Sequence, residues 1–586
     1  MIYPKIPLAQ TVVQLCKAKN IKHIIISPGS RSAPLTIGFT NDTFFKCYSI
    51  VDERCAAFFA LGIAQQIKAP TALVCTSGSA LLNYYPAVSE AFYSDIPLVV
   101  LSADRPKHLI GIGDGQTINQ KNVYKNHILY SANLKLDLKD GKNIPGHEEL
   151  PIMKNLENKL ERFLGLQKGI QEYNEHEINN AIDFAKFQNG PVHINVPFDE
   201  PLYETVDKPT VHAKAVSYFK KNSGVEPSVL KACYEDWIAA SKKMILVGVN
   251  NPNEVNLSVL EELAKDESVV VFTETTSNLH NKSFFPSIDQ IIAPLSSKEQ
   301  KALQPEIIVT FGGLIVSKKI KALLRTYKPQ QHWHIDEKKA NDTFFCLSKH
   351  IEANPNDFFE SFLPLINQYT KTDYRPVWEK VKQKRLELHE QYLKKIPFSD
   401  FLAFNTILKQ IPNNSILQVG NSSAIRYTQL FSLHKTIEVY CNRGTSGIDG
   451  STSTAVGCAV ANDKPTTFIT GDLSFFYDSN ALWNNYIPNS FRIIVVNNQG
   501  GGIFRILPGH KNTENFSTYF ETHHQLTAEH LCKMFNFEYM TASDENTLNN
   551  ALSGFFGASD APKLLEVFTP KQLNDEILLD YFEFIR

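Results

Sequence analysis

The chain has 586 residues, 43% of them hydrophobic and 20% charged, with a net charge of −2. That length exceeds a single core and implies three or four domains, and the near-neutral balance lacks the basic bias of a nucleic-acid binder. No run approaches the roughly 18 apolar residues of a membrane span, and nine cysteines without a Cys-x-x-Cys pair fit reduced thiols in a cytoplasm.

The first residues, Met1-Ile2-Tyr3-Pro4-Lys5-Ile6-Pro7, carry no apolar signal core, so a cytoplasmic location is expected. A strand is expected over 21–27, followed by the loop Pro28-Gly29-Ser30-Arg31-Ser32. A short strand over 48–51 leads into a helix that starts at Asp52 or Glu53 and runs through Gln66. A strand over 71–75 gives way at Thr76-Ser77-Gly78-Ser79 to a helix through about Phe92. A strand over 97–102 ends in Ala103-Asp104-Arg105-Pro106, and 191–196 reads as the last strand of this region. Short apolar strands with intervening helices imply a parallel, doubly wound sheet. Residues 207–216 are polar and read as a linker. Strands over 244–247, 269–272, 307–311 and 332–335 alternate with helical stretches in a second α/β unit, and 371–376 is another polar link. The third region holds strands over 416–419, 438–441, 466–470, 493–496 and 564–567. The expectation is an α/β chain of three doubly wound parallel-sheet domains, 1–206, 207–370 and 371–586.

The third region carries the most informative motif. Gly471-Asp472-Leu473-Ser474 closes one apolar strand, and the next ends in Asn497-Asn498-Gln499-Gly500-Gly501-Gly502. In a parallel sheet both strand ends lie on one edge, where open α/β sheets bind ligands. Asp472 and Asn498 then offer oxygens from adjacent loops, and Gly500 an accessible carbonyl. Three oxygens on one side suit Mg²⁺ (or Mn²⁺), which completes its shell with phosphate and water. The glycines let a diphosphate approach the backbone. Taken singly, Asp472 reads more readily as a helix cap and Asn498 as part of a turn.

The Gly-Asp…Asn-Asn spacing resembles the thiamine-diphosphate-binding motif, with Leu473 where Gly is usual. With the first region read beside the third, the chain resembles the 2-succinyl-5-enolpyruvyl-6-hydroxy-3-cyclohexene-1-carboxylate synthase family of menaquinone biosynthesis. The matching segments are Ser27-Pro-Gly-Ser-Arg-Ser-Ala-Pro-Leu35, Val51-Asp-Glu-Arg-Cys-Ala-Ala-Phe58, Thr76-Ser-Gly-Ser-Ala80 and Ala103-Asp-Arg-Pro106. They continue with Gly420-Asn-Ser-Ser423, Asn442-Arg-Gly-Thr-Ser-Gly-Ile-Asp-Gly450, Gly471-Asp-Leu-Ser474 and Asn497-Asn-Gln-Gly-Gly-Gly-Ile-Phe504. Gly-Asp-Leu-Ser is this family's variant of the motif.

The resemblance implies thiamine diphosphate and a divalent metal as cofactors, and decarboxylation of 2-oxoglutarate with 1,4-addition of the four-carbon remainder to isochorismate. It makes Glu53 the carboxyl group at N1′ of the aminopyrimidine and a catalytic residue beside Gln116, which is also expected to contact the second substrate. Ile448 is expected to support the bent cofactor; Ser422, Ser474 and Ile503 complete its site. Since Glu53 and the diphosphate motif lie in different domains, the resemblance implies a cofactor shared by two subunits of a homodimer or tetramer. Arg binds carboxylates through a planar fork. Ser30, Arg31, Arg105, Arg426, Arg443, Phe504 and Lys318 all match substrate-site positions. Lys319 stands where the family usually has Arg, so it keeps the charge and loses the fork. Two alternatives remain open at this point: a related thiamine-diphosphate enzyme acting on pyruvate or another 2-oxoacid, and a non-catalytic protein retaining the fold.

Overall fold

The computed structural model describes residues 2–138, 154–217, 224–506 and 513–586. Its chain packs as two units, Met1–Lys221 with Ser453–Asn462 and Asn480–Ile487, and Asn222–Thr452 with Asp463–Ser479 and Pro488–Arg586.

In the first unit β1 (Tyr3–Pro4) pairs antiparallel with β8 (Thr205–Val206). The main sheet holds β2 (His23–Ile26), β3 (Lys46–Ser49), β4 (Thr71–Cys75), β5 (Leu98–Asp104), β6 (Tyr130–Asn133) and β7 (Val192–Pro197), in the order β3-β2-β4-β5-β7-β6. The second unit holds two sheets. One is built from β9 (Lys243–Val247), β10 (Val269–Thr273), β11 (Ile307–Phe311), β12 (Gln331–Ile335) and β13 (Leu347–Ile351), ordered β10-β9-β11-β12-β13. The other is built from β14 (Ile416–Val419), β15 (Glu438–Tyr440), β16 (Thr466–Gly471), β17 (Arg492–Asn497), β18 (Glu538–Ala542) and β19 (Lys563–Phe568), ordered β15-β14-β16-β17-β19-β18. Every pairing within these three sheets is parallel.

Continuous Val, Ile and Leu runs form the central strands because both faces are covered. Along β9, Ile245 and Val247 join one core with Val309 and Trp333, while Met244 and Leu246 join another with Phe272 and Ile308. Each such side chain contributes roughly 1.5–3 kcal/mol on burial. The doubly wound α/β expectation therefore holds, with local corrections. The helix expected through Phe92 is two, Ala80–Asn83 and Tyr85–Tyr93. Pro86, without an N–H, sits where the second begins. The link at 371–376 already contains the start of the helix Tyr374–Leu393, whose first turn tolerates Pro376. Residues 191–196 supply the last strand of this sheet along the chain, β7, but β6, unforeseen, pairs outside it. β13 and β18 were also unforeseen, as was the β1–β8 pair.

All three sheets share a switch point, between β2 and β4, β9 and β11, and β14 and β16, where successive connections depart in opposite directions and a crevice can open beyond the strand ends. At β9/β11 the loops instead meet backbone to backbone: a Cβ on Gly248 would overlap the Gly313 carbonyl, and the Gly313 N–H donates to Val249 O at 2.7 Å. Within the first unit, the helix Glu53–Ile67 is crossed at similarly short range, since a Cβ on Gly62 would overlap Thr454 O and one on Gly457 would overlap Phe59 O.

Candidate active site

In the second unit, β16 and β17 run side by side, with Gly471 opposite Val496. Asp472 is therefore delivered to the same edge as Asn498. Asp472 is 3% exposed and opens the helix Asp472–Tyr477. Its Oδ1 accepts from Leu473 N at 2.7 Å and its Oδ2 from Gly500 N at 2.9 Å, and His524 Nε2 lies 3.2 Å from Oδ2. The carboxylate thus ties the two loops together. Asn498 donates from Nδ2 to Asp400 at 3.0 Å, which fixes the orientation of its amide; no described residue donates to its Oδ1. Asp400 is fully buried, also accepts from Thr569 Oγ1 at 2.5 Å, and is pushed up to about 6 by burial. An Asp at a helix start reads in sequence as a cap, so this orienting role was not foreseen.

The glycine run behaves as a cradle. A Cβ on Gly500, whose φ is +150°, would come within 2.7 Å of Glu521 O, while Gly471 faces open space. Ser474 donates to the Ile448 carbonyl at 3.1 Å, joining that loop to the one after β15. Ile448 is only half-buried and lies outside the core cluster beneath β14 and β17. Ser422 takes φ +68°, ψ −125°, strain of a kind that clusters at ligand sites. The chemistry fits a metal-diphosphate group: one carboxylate, one amide oxygen and one carbonyl on an edge of small residues. Among the described residues no group of three or more His, Cys, Asp and Glu could hold a metal. Ile503 and Phe504 follow directly, half-buried and 36% exposed, and Phe504 packs edge-on against Phe520.

In the first unit, Glu53 is the first residue of its helix, after the cap Asp52. Asp52 accepts from Cys55 N at 3.3 Å and from Asn480 Nδ2 at 2.8 Å. Glu53 Oε2 accepts from Asn83 at 3.2 Å; its Oε1 has no donor among the described residues, and the side chain is half-exposed. Ser30 is exposed at the end of β2. Arg31, 6% exposed, donates to Phe198 O at 3.1 Å and pairs with Glu200 at 3.2 Å. Arg105 donates to Gly115 O at 3.0 Å, beside the exposed Gln116, whose φ is +53°. Burial and then the neighbouring Arg105 depress the Arg31 guanidinium. Gln120 was missed in sequence. Buried to 1%, it donates to Asn195 Oδ1 at 2.8 Å and accepts from Gly78 N at 3.0 Å, pinning the Gly78 loop against Gln116.

The remaining cations gather in the second unit. Arg426 donates to Ser422 O at 3.0 Å and Arg443 to Asn421 Oδ1 at 2.8 Å. Asn421 in turn donates to the carbonyls of Asn442 and Gly447 at 2.8 and 2.7 Å, so one amide holds the loops after β14 and β15 together. Burial and then Arg443 depress Arg426. Lys318 begins the helix Lys318–Thr326, capped by Ser317. Lys319 turns elsewhere, onto the Phe582 ring at 4.2 Å. Beneath lies Glu274, 3% exposed, which accepts from Val316 N and Ser317 N, both at 2.7 Å. Ser317 donates to Asp289. Burial raises Asp289, and the Ser317 bond, Lys319 and Arg426 oppose that.

Burial likewise pushes Glu274 up to about 7, against its two backbone donors. The folded value lies above the unfolded one, so the folded state retains the proton longer. Stability contributed by the protonated form is complete below about 4.5 and is lost as pH rises through about 7, by about 3 kcal/mol in total. Glu274→Gln removes this titration. Thermal melts of the two proteins between pH 5 and 8 should therefore show the wild-type advantage shrinking as pH rises; a gap independent of pH would show Glu274 ionised throughout.

Residues 6–123 match the family model described as thiamine pyrophosphate enzyme, N-terminal TPP binding domain, and 212–418 match the one described as middle domain of thiamine pyrophosphate. Over 583 residues, the chain is 56% identical to the 2-succinyl-5-enolpyruvyl-6-hydroxy-3-cyclohexene-1-carboxylate synthase of Flavobacterium psychrophilum, covering 100% of both chains. It is 55% identical over 591 residues to the Christiangramia forsetii protein of that name, again 100% of both. The Porphyromonas gingivalis protein of that name is 35% identical over 584 residues, 98% of this chain and 96% of its own. No helix among the described residues is long and apolar enough to cross a membrane.

Proposed function

Since the chain belongs to the 2-succinyl-5-enolpyruvyl-6-hydroxy-3-cyclohexene-1-carboxylate synthase family of thiamine-diphosphate enzymes, we propose the following division of labour among its residues. The reaction is decarboxylation of 2-oxoglutarate and 1,4-addition of the four-carbon remainder to isochorismate, giving the product of the family name and CO2 in menaquinone biosynthesis. Asp472 and Asn498, held at the ends of adjacent parallel strands in a chain alike over its whole length to named synthases, carry this reading.

Bound thiamine diphosphate supplies the nucleophilic carbon and the electron sink. The protein binds, orients and balances charge. Asp472, Asn498 and the Gly500 carbonyl hold Mg²⁺ or Mn²⁺ against the diphosphate, with Ser422 and Ser474 as further donors. Ile448 and Ile503 enclose the cofactor. Glu53 shares a proton with N1′ through its unpartnered Oε1, and Gln116 contacts substrate. Ser30, Arg31, Arg105, Lys318, Arg426, Arg443 and Phe504 receive the substrates, whose carboxylates call for fixed cations rather than a catalytic triad. We assign domains 1–206, 207–370 and 371–586, a cytoplasmic enzyme, and a homodimer, or a tetramer of two dimers, in which each cofactor is shared by two subunits.

Mass-spectrometric product identification with isochorismate, 2-oxoglutarate, thiamine diphosphate and Mg²⁺ tests the reading; turnover of pyruvate in preference to 2-oxoglutarate would overturn it. Each charge-assisted pair contributes about 1.5–3 kcal/mol, so Arg426→Ala and Arg443→Ala should raise KM for a carboxylate substrate roughly ten- to a hundredfold, with little change in cofactor affinity. Unaltered kinetics toward both substrates in both variants would remove the cationic cleft.

A further inference from the structure

The helix Lys318–Thr326 presents two faces. Ile320 and Leu324 are fully buried in the core beneath. Lys318, Lys321 and Arg325, spaced three and four apart, share the other face. Lys321 is half-buried, and no described residue lies within hydrogen-bond or ion-pair distance of its ammonium.

Its surroundings leave positive charge uncompensated. Burial depresses the Lys321 ammonium; Glu274 opposes that, while Arg443, Arg325 and Lys318 add to the depression. Glu274 is the acidic group facing it, but each carboxylate oxygen is engaged by a backbone N–H, of Val316 and of Ser317. Arg443 spends Nη1 on Asn421, and its Nε is buried without a partner. The cations that bear on Lys321 thus come from two elements, its own helix and the loop after β15, and the carboxylate that answers them is bound to the start of that helix. A half-buried cation without a counter-charge costs stability, and an anion arriving from solvent would remove that cost.

We propose that Lys321 is a further substrate-binding residue, which together with Arg443 receives one carboxylate of a dicarboxylate substrate. The inference deepens the functional reading above and rests on it. It assigns a role to a position that the sequence resemblance did not single out, and it explains the divergence of the Lys318-Lys319 pair: with Lys319 turned onto Phe582, Lys321 supplies the second charge from the helix face that holds Lys318.

The test uses the holoenzyme with Lys321→Ala, Lys321→Met, which keeps the apolar stem, and Lys321→Arg, with Arg443→Ala in parallel. The expected result is a roughly ten- to a hundredfold rise in KM for one substrate in the Ala and Met variants. kcat should stay within a few-fold, thiamine diphosphate affinity should hold, and the melting temperature should hold or rise. Lys321→Arg should recover most of the loss. Titrating 2-oxoglutarate and isochorismate separately identifies whose carboxylate is bound. If KM for both substrates stays at the wild-type value in Lys321→Ala while Arg443→Ala raises one, Lys321 is not a ligand and the cationic cleft stands. If both variants are silent, the cleft itself fails and the Lys321 assignment falls with it. A parallel loss of cofactor affinity and melting temperature that arginine does not rescue would make Lys321 structural and likewise overturn the assignment.

Discussion

Asp472→Ala will abolish tight binding of thiamine diphosphate and its metal while the fold survives. The effect is large because one carboxylate performs two tasks. In the proposed site it would bring the formal charge to a metal whose other protein donors, Asn498 and Gly500, are neutral. It also closes the two strand-end loops through Leu473 N and Gly500 N. Losing a partner outside the ligand shell typically costs 10- to 100-fold in metal affinity; losing the charged ligand should exceed that. The fold should survive because β16 and β17 are held by their own ladder and by the apolar residues on both sides of it. Two backbone N–H groups lose their acceptor in the alanine variant, at about 1–3 kcal/mol each where buried. Asp472→Asn retains an acceptor and separates charge from scaffolding. Calorimetric titration of thiamine diphosphate, together with Mn²⁺ binding followed by electron paramagnetic resonance, reads both. Unchanged affinity in the folded alanine variant would move the metal elsewhere.

Most strands legible in sequence were buried on both faces, because a parallel strand under two helical layers is an unbroken apolar run; the partly exposed β3 is an exception. Within the three parallel sheets, the strands that escaped, β6, β13 and β18, each lie at the end of a sheet. Tyr130-Ser131-Ala132-Asn133 and Leu347-Ser348-Lys349-His350-Ile351 mix polar and apolar residues because an edge strand is partly solvated, and such a stretch is not distinguishable from a loop by hydropathy. The placing of Ser453–Asn462 within the first unit left only a faint trace, the small residues around Gly457 that permit backbone contact with the helix carrying Glu53.

The same division applies to the site. Asp472 and Asn498 were legible because a residue closing a parallel strand has its position set by the strand alone. Glu274, Asp289, Asp400 and Gln120 were not, because each acts through a partner distant in sequence: Glu274 through Ser317, Asp400 through Asn498, Gln120 through Asn195. A buried carboxylate on an apolar element looks in sequence like a helix cap or a strand end. Lys321 is intermediate. Its spacing of three from Lys318 was visible, but a charged helix face is ordinarily solvated, and only the proximity of Arg443 and Glu274 distinguishes it.

Glu53→Gln should leave cofactor binding largely intact and slow exchange of the thiazolium C2 proton by about 10²- to 10⁴-fold, the range for positioned acid–base groups. Glutamine matches the shape of the side chain and can still accept from Asn83, as Oε2 does now. What it cannot do is share a proton with N1′ through Oε1. The surroundings favour a clean substitution: the helix is capped by Asp52, itself tethered by Asn480, so the start of the helix does not depend on the Glu53 charge. The residue is half-exposed rather than packed, so no cavity or strain follows. Binding and activation should therefore separate, with calorimetry giving a near wild-type dissociation constant and acid-quenched NMR giving slowed deuterium incorporation at C2. Exchange at the wild-type rate would reduce Glu53 to a helix-start acid with no part in the chemistry. Lost binding would make its carboxylate a cofactor anchor instead.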